Sequence, residues 1–209
     1  MPTLEFFYDC SSPWTYLAFH RVEEVAARGG ASLVWRPILV GGVFNAVNPS
    51  VYQNRAAPVP AKAAYARKDQ QDWARLYGLR IGQPPVFPVS SVKAMRGAFV
   101  ALEHGVVSPF SRAVFEAYWG DLQDISQDAI LRGIVERVGL DWAEVSAKIA
   151  DESYKRKLRE STDELMARGG FGSPTFFVDR DDMYFGNDRL VLVEAALAAA
   201  AARPQERRA

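Results

Sequence analysis

Phe7-Tyr8-Asp9-Cys10-Ser11-Ser12-Pro13-Trp14-Thr15-Tyr16 is the junction at which an apolar strand gives way to a helix, and the fold follows from how it is read. Upstream, Leu4 to Tyr8 is an aromatic and apolar run with the length of a short buried strand. Downstream, Ser12-Pro13 opens a helix. Its stripe of Trp14, Leu17, Ala18, Val22, Val25 and Ala26 recurs at spacings of three and four and stops at Gly29-Gly30. Ser32 to Val40, with Leu33, Val34, Trp35, Ile38 and Leu39 before Gly41-Gly42, reads as a second strand. A right-handed crossover makes the two strands parallel. Ser12 itself has two readings. A serine N-cap with proline at the first helical position is common and needs no function. The same position also suits a thiolate, because free backbone N–H groups and the positive end of the helix dipole converge there and a cap hydroxyl can donate to sulfur.

The middle of the chain reads as helical. Asn45 to Pro60, with Asn48-Pro49, Pro58 and Pro60, is expected to be a loop. Helices are then predicted over Ala61 to Tyr77, Val92 to Glu103, Pro109 to Trp119 behind a Ser108 cap, Gln127 to Val138 behind Ser126, and Trp142 to Arg168, the last with a break near Asp151. Asp141 with Glu144 has capping-box spacing. Pro84 to Pro88 is a connector. After Gly169-Gly170 a hairpin of Thr175 to Val178 and Met183 to Phe185 is predicted, then a helix capped by Asn187 or Asp188 that ends near Ala202, and a frayed tail over Arg203 to Ala209. Neither end of the chain can bury a sheet alone. The economical arrangement is one α/β domain with a mixed sheet built from residues 1–42 and 169–209, interrupted by a helical insertion over 43–168.

Composition removes several functions. The 209 residues carry 25 Lys+Arg against 25 Asp+Glu, so no cationic footprint invites nucleic acid or an anionic membrane. The N-terminus has no basic segment and cleavage site, and no window approaches 18 uninterrupted apolar residues, so a cytoplasmic protein is expected. Cys10 is the single cysteine, which forbids an intrachain disulfide. It reads as a small buried hydrophobe ahead of the helix start. His20 and His104 offer no metal site and lack an acidic partner at helical spacing.

Two further constellations stand out. In Gly172-Ser173-Pro174-Thr175 a proline opens a strand, either as an ordinary trans edge or as a cis turn. In Phe185-Gly186-Asn187-Asp188-Arg189-Leu190, Asn187 or Asp188 is a helix cap or, for an exposed Asp, a receiver for an ammonium group. Lys62 and Arg55 read first as solvated charges. Taken together, Phe-Tyr-Asp-x-x-Ser-Pro, Gly-x-Phe-Gly-x-Pro-Thr near residue 170 and Phe-Gly-x-Asp-Arg-Leu a dozen residues later resemble the 2-hydroxychromene-2-carboxylate isomerase and kappa-class glutathione transferase family, a branch of the DsbA-like thioredoxin folds. Asp69 and Trp73 fit that family's first inserted helix. The likeness spans nearly the whole chain.

The resemblance implies a thioredoxin-like mixed sheet with a large helical insertion, in which Ser12 takes the place of the attacking cysteine of a disulfide oxidoreductase and Thr15 that of the second. It implies glutathione as the source of sulfur, a small aromatic acid as substrate, and a homodimer. Ser12 would hydrogen-bond the glutathione thiolate, Ser173 before a cis-Pro174 would pair its backbone with the peptide, Asn187 and Asp188 would hold the γ-glutamyl end, and Lys62 would lie near its anionic groups. Asn54 (or Asn48 in its stead) and Arg55 are the implied substrate contacts, with Trp73 and Phe87 among the aromatics of a flat wall. The implied activity is a glutathione-dependent cis–trans isomerisation by transient thiolate addition. A kappa-like transferase and a non-catalytic thioredoxin-fold binding protein are the alternatives. A dipole worth up to about 2 kcal/mol and a hydrogen bond to charge worth roughly 1.5 to 3 suffice to lower a thiol pKa by about 1 to 3 units.

Overall fold

The computed structural model describes residues 1–203. Of the tail expected to fray, residues 204–209 lie outside the described residues. Four strands, β1 (Thr3–Tyr8), β2 (Ser32–Pro37), β3 (Thr175–Val178) and β4 (Asp182–Phe185), form one sheet in the order β2-β1-β3-β4. β1 and β2 are parallel, with Phe6 opposite Trp35, and β1 and β3 are antiparallel, with Phe6 opposite Phe176. The strand–helix–strand opening therefore folds as its crossover requires.

Strand periodicity explains why β1 is buried on both sides. Leu4, Phe6 and Tyr8 face the main core, and Phe7 faces a smaller one with Ile38, Val43, Leu165 and Phe177. Glu5, on the Phe7 side, is bound by Arg36 and Arg168. Helix α1 (Pro13–Arg28) covers the main-core face together with the C-terminal helix α10 (Leu190–Ala201). These two helices pass so closely that a Cβ on Gly29 would come within 2.7 Å of Leu197. The regular elements between β2 and β3 are all helical: α2 (Val40–Val47), α3 (Ser50–Ala56), α4 (Pro60–Leu76), α5 (Val92–Glu103), α6 (Val107–Phe115), a π-helical segment Glu116–Gly120, α7 (Asp128–Arg137), α8 (Trp142–Ala150) and α9 (Glu152–Ala167).

Several boundaries differ from the sequence reading, each for a local reason. The expected loop at 45–60 is two helices, α2 and α3, separated at Asn48-Pro49. The second strand ends at Pro37 and Val40 already begins α2, because Leu39 N–H donates to Thr162 Oγ1 at 3.0 Å and Val40 N–H to Asp9 Oδ2 at 2.8 Å. Those distant acceptors replace a local cap and carry Gly41 and Gly42 into the helix. Ser126 gives no cap because its N–H and hydroxyl both turn back to Asp124. Asp141 does cap α8, accepting from Ala143 N–H and Glu144 N–H. Glu144 does not reach back to it, and bonds Lys148 and His104 instead. The expected break near Asp151 is real, and Asp151 caps α9 through Ser153 N–H.

Candidate functional site

Ser12 is the N-cap of α1 in an extended conformation, and its Oγ accepts from Thr15 N–H at 3.2 Å. The capping reading is thus correct as far as it goes. The same hydroxyl donates to the Ser173 carbonyl at 3.0 Å, which ties the helix start to the Ser173–Pro174 turn, whose peptide bond is cis. Ser173 Oγ in turn accepts from Asp9 N–H at 3.1 Å and shares a hydrogen bond with Thr15 Oγ1 at 2.8 Å. Ser12, Thr15 and Ser173 are all buried. Two of the sequence segments that carry the resemblance therefore meet through three side-chain hydrogen bonds.

Asp9 organises this junction. Its fully buried carboxylate accepts from Ser11 N–H at 2.9 Å through Oδ1, and from Val40 N–H at 2.8 Å and Ser91 Oγ at 3.0 Å through Oδ2. It thus fastens the Ser12 loop, the start of α2 and the entry to α5. Burial raises its pKa, opposed by these donors. Trp119, in the π-helical segment, donates from Nε1 to the Cys10 carbonyl at 2.9 Å. Cys10 is 1% exposed, and burial pushes its thiol well above the ordinary value, so it is inert by accessibility and by charge.

Two clefts open on either side of this junction. One, of about 500 Å³, lies between Trp14, the α4 residues Tyr65, Asp69 and Trp73, and the turn of Pro174 and residues 185–189. Asn187 sits at its base, 2% exposed, with neither amide atom in a hydrogen bond. Burial raises the pKa of the nearby Tyr77 hydroxyl, an effect that Arg21 and the Asn187 amide oppose, the amide without hydrogen-bond geometry. A buried, unsatisfied amide costs about 1 to 3 kcal/mol, so Asn187 is a group that a ligand in this cleft would satisfy. Asp69 and Asp188 line the same cleft, Asp188 paired there with Arg189, so that the acids suit an ammonium group and the arginine a carboxylate.

The second cleft, of about 910 Å³, reaches from Ser11 and Ser12 across α2 and α3 to α4 and the Phe87 connector. Its walls are largely apolar. Arg55 is stacked between Phe44 and Phe87, at 5.6 and 5.1 Å from their ring centroids, and Arg67 is the other cation. Neither arginine has an acidic partner within ion-pair distance, and no carboxylate lines this cleft among the described residues. Asn48 and Asn54 both line it, with Asn48 Nδ2 also donating to the Phe171 carbonyl at 3.2 Å.

The structure thus brings together Ser12, Ser173, Pro174, Asn187, Asp188, Asn54 and Arg55 around one junction. Lys62 is exposed on α4 and lines neither cleft, and Trp73 belongs to the smaller cleft, away from the wall that holds Phe87. Asp9, Arg67 and Trp119 were not singled out by the sequence. Asp9 carried a usable signal, since a carboxylate that ends a buried strand must find donors.

Residues 3–198 match the model of the DsbA-like thioredoxin domain, and the chain belongs to that family. Relatives of two names are similar to this chain over most of their length. A 2-hydroxychromene-2-carboxylate isomerase from a Pseudomonas species is 30% identical over 199 residues, covering 94% of this chain and 91% of that one. Glutathione S-transferase kappa 1 of Rattus norvegicus is 29% identical, covering 91% and 88%. A solved structure of a 2-hydroxychromene-2-carboxylate isomerase superposes with a TM-score of 0.80 at 25% identity, over 95% of this chain and 96% of the other.

Proposed function

We propose that the protein is a glutathione-dependent cis–trans isomerase of an aromatic hydroxy or keto acid such as 2-hydroxychromene-2-carboxylate. The observation that carries this reading is the meeting of two unlike clefts at Ser173, to which Ser12 is hydrogen-bonded: one with two acids, an arginine and an unsatisfied amide, the other apolar with unpaired arginines. Glutathione fits the first. Asp69 and Asp188 suit its ammonium group, the Asn187 amide would gain partners, and Ser173 presents its backbone between the clefts. When bound, glutathione supplies a thiolate able to add reversibly to a conjugated double bond.

The chain's own residues do the rest. Ser12 holds a proton that points at the Ser173 carbonyl in this structure, and turning it toward sulfur exchanges a neutral acceptor for a charged one. The α1 N-terminus adds its dipole at the same place. Arg55 and Arg67 face a substrate carboxylate, and Phe44 and Phe87 exclude water from the ring while holding Arg55 by cation–π contact. Asn54 and Asn48 present amides to the substrate's oxygens. The homodimer and cytoplasmic location belong to this reading. Exposed Val47, Tyr52, Val59 and Tyr65 near the cleft mouth give a second copy an apolar surface, and no helix among the described residues is long and apolar enough to cross a membrane.

The test is turnover of 2-hydroxychromene-2-carboxylate with free glutathione measured before and after. Isomerisation with glutathione unchanged is the expected result. Stoichiometric loss of glutathione identifies a kappa-like transferase, and glutathione binding with neither isomerisation nor loss of glutathione favours the non-catalytic binding protein.

A further inference from the structure

A third cavity, of about 440 Å³, lies behind α2 and shares no catalytic residue with the two clefts. Three helices build it by the same spacing: Gly42 and Ala46 of α2, Val92 and Arg96 of α5, and a row along α9 that includes Lys155, Arg159 and Met166. Residues four apart on a helix share a face, so each helix turns one continuous strip toward the groove. The opposite face of α2, at Val40 and Phe44, lines the 910 Å³ cleft. One short helix therefore separates the two cavities.

The charges in the groove are unbalanced. Arg96, Lys155 and Arg159 face a single acid, Asp163. Lys155 is paired with the exposed Glu152. Arg159 has no ion pair among the described residues, and the guanidinium of Arg96 is held only by the Ile149 carbonyl, from Nη1 at 3.1 Å, while its buried Nε has no partner. A partly desolvated guanidinium that feels Glu152 only through space, while Glu152 is paired with Lys155, is an incompletely neutralised cation, and its natural complement is the planar anion that its fork matches. The floor is apolar, formed by Leu39, Val92, Leu158 and Met166. A multiply charged phosphate would meet Asp163 and that floor at a cost, whereas a monoanion with an apolar body satisfies both halves of the groove.

We propose that this groove is a second binding site, for a compact apolar monocarboxylate, with Arg96 and Arg159 holding the carboxylate and the Leu39–Met166 floor holding the body. The proposal does not depend on glutathione or on turnover. Its test is a titration with 2-naphthoate, without glutathione, followed by calorimetry and by the ¹³C-methyl resonance of Met166, in wild type and in an Arg55→Met background that disables the larger cleft. The expected result is a saturable Met166 shift in both. Arg159→Glu, an exposed position whose change leaves the core untouched, should weaken that binding at least about tenfold, the factor carried by one charge-assisted hydrogen bond. Arg96→Gln should do the same, and the neutral isostere 2-naphthalenemethanol should bind wild type at least about tenfold more weakly. A Met166 methyl that does not move, one that moves only when Arg55 is intact, or unchanged affinity in Arg159→Glu each overturns the site.

Discussion

At the scale of the residue, Ser12 has two duties that its substitution separates. As a cap it accepts from Thr15 N–H, and losing that bond in Ser12→Ala should cost about 0.5 to 2 kcal/mol of stability, read as a lowered melting temperature. As a proton donor it already spends its hydroxyl on the Ser173 carbonyl. The catalytic gain is thus the difference between a bond to a charged acceptor, roughly 1.5 to 3 kcal/mol, and one to a neutral acceptor, roughly 0.5 to 1.5. A net of about 1 to 1.5 kcal/mol is close to one pKa unit. Ser12→Ala should therefore slow turnover about tenfold at neutral pH and move the alkaline rise of the pH–rate profile up by about one unit, so that much of the rate returns at higher pH. Superimposable profiles with a lower melting temperature would leave Ser12 as a cap alone. Arg55 acts on binding instead. Arg55→Met keeps an apolar side chain between Phe44 and Phe87 but removes the cation and its charged hydrogen bond, so KM should rise about 10- to 100-fold with kcat nearly unchanged. A fall in kcat at constant KM would place Arg55 on the reacting atoms.

At the scale of the element, local signals were legible where an element makes its own ends, and lost where a distant group makes them. The start of α1 at Ser12-Pro13 and the cap of α8 at Asp141 were readable because the acceptor lies within three residues of the donor. α2 was not, because its first N–H groups end on Asp9 and Thr162, 31 and 123 residues away. For the same reason the sequence marked Ser12 and Ser173 but left Asp9, which joins them, as one letter of a motif. A pairing of this kind between α1 and α6 also yields a pH prediction. Arg112 Nη1 lies 2.8 Å from His20 Nδ1, and Nε2 is buried without a partner, so the ring is neutral with Nδ1 accepting. Burial first, and then the Arg112 charge, push its pKa down from an ordinary 6.5 to about 4. A depressed folded-state value means that the unfolded chain takes up the proton first as pH falls. The stability contributed by neutral His20 is complete above about pH 6.5 and is lost progressively down to about pH 4. His20→Gln, which keeps an acceptor for Arg112, should flatten melting temperature against pH across that window. An unchanged slope would show that other groups set it.

At the scale of the whole molecule, the segments 1–42 with 169–209 and 43–168 remain our proposed division of the chain into sheet-bearing and inserted parts. One hydrophobic core crosses that division. It runs from Leu4, Phe6 and Tyr8 of β1 through Phe19 and Val22 of α1 to Met95, Phe110, Val114 and Val145 of α5, α6 and α8. Phe115 of α6, fully buried, packs against Tyr8, Tyr16 and Phe19, with the Phe19 ring centroid at 4.9 Å, and the Tyr8 hydroxyl closes a 2.8 Å hydrogen bond with Ser111. Pulling the helices from the sheet would expose these aromatic rings on both sides at once, and a buried Phe→Ala truncation costs about 3 to 5 kcal/mol even when its surroundings partly relax. The inserted part is therefore expected to have no stability of its own. Phe115→Ala should lower the single melting transition as a whole, with far- and near-ultraviolet circular dichroism still coincident, and should reduce hydrogen-exchange protection of the β1 amides by the same factor as that of the α5 amides. Protection that persists in β1 while α5 to α8 lose theirs would show two cooperative units. The clefts that meet at Ser173 would then lie along a joint between separately folding parts, and their shape would not be fixed by the core beneath them.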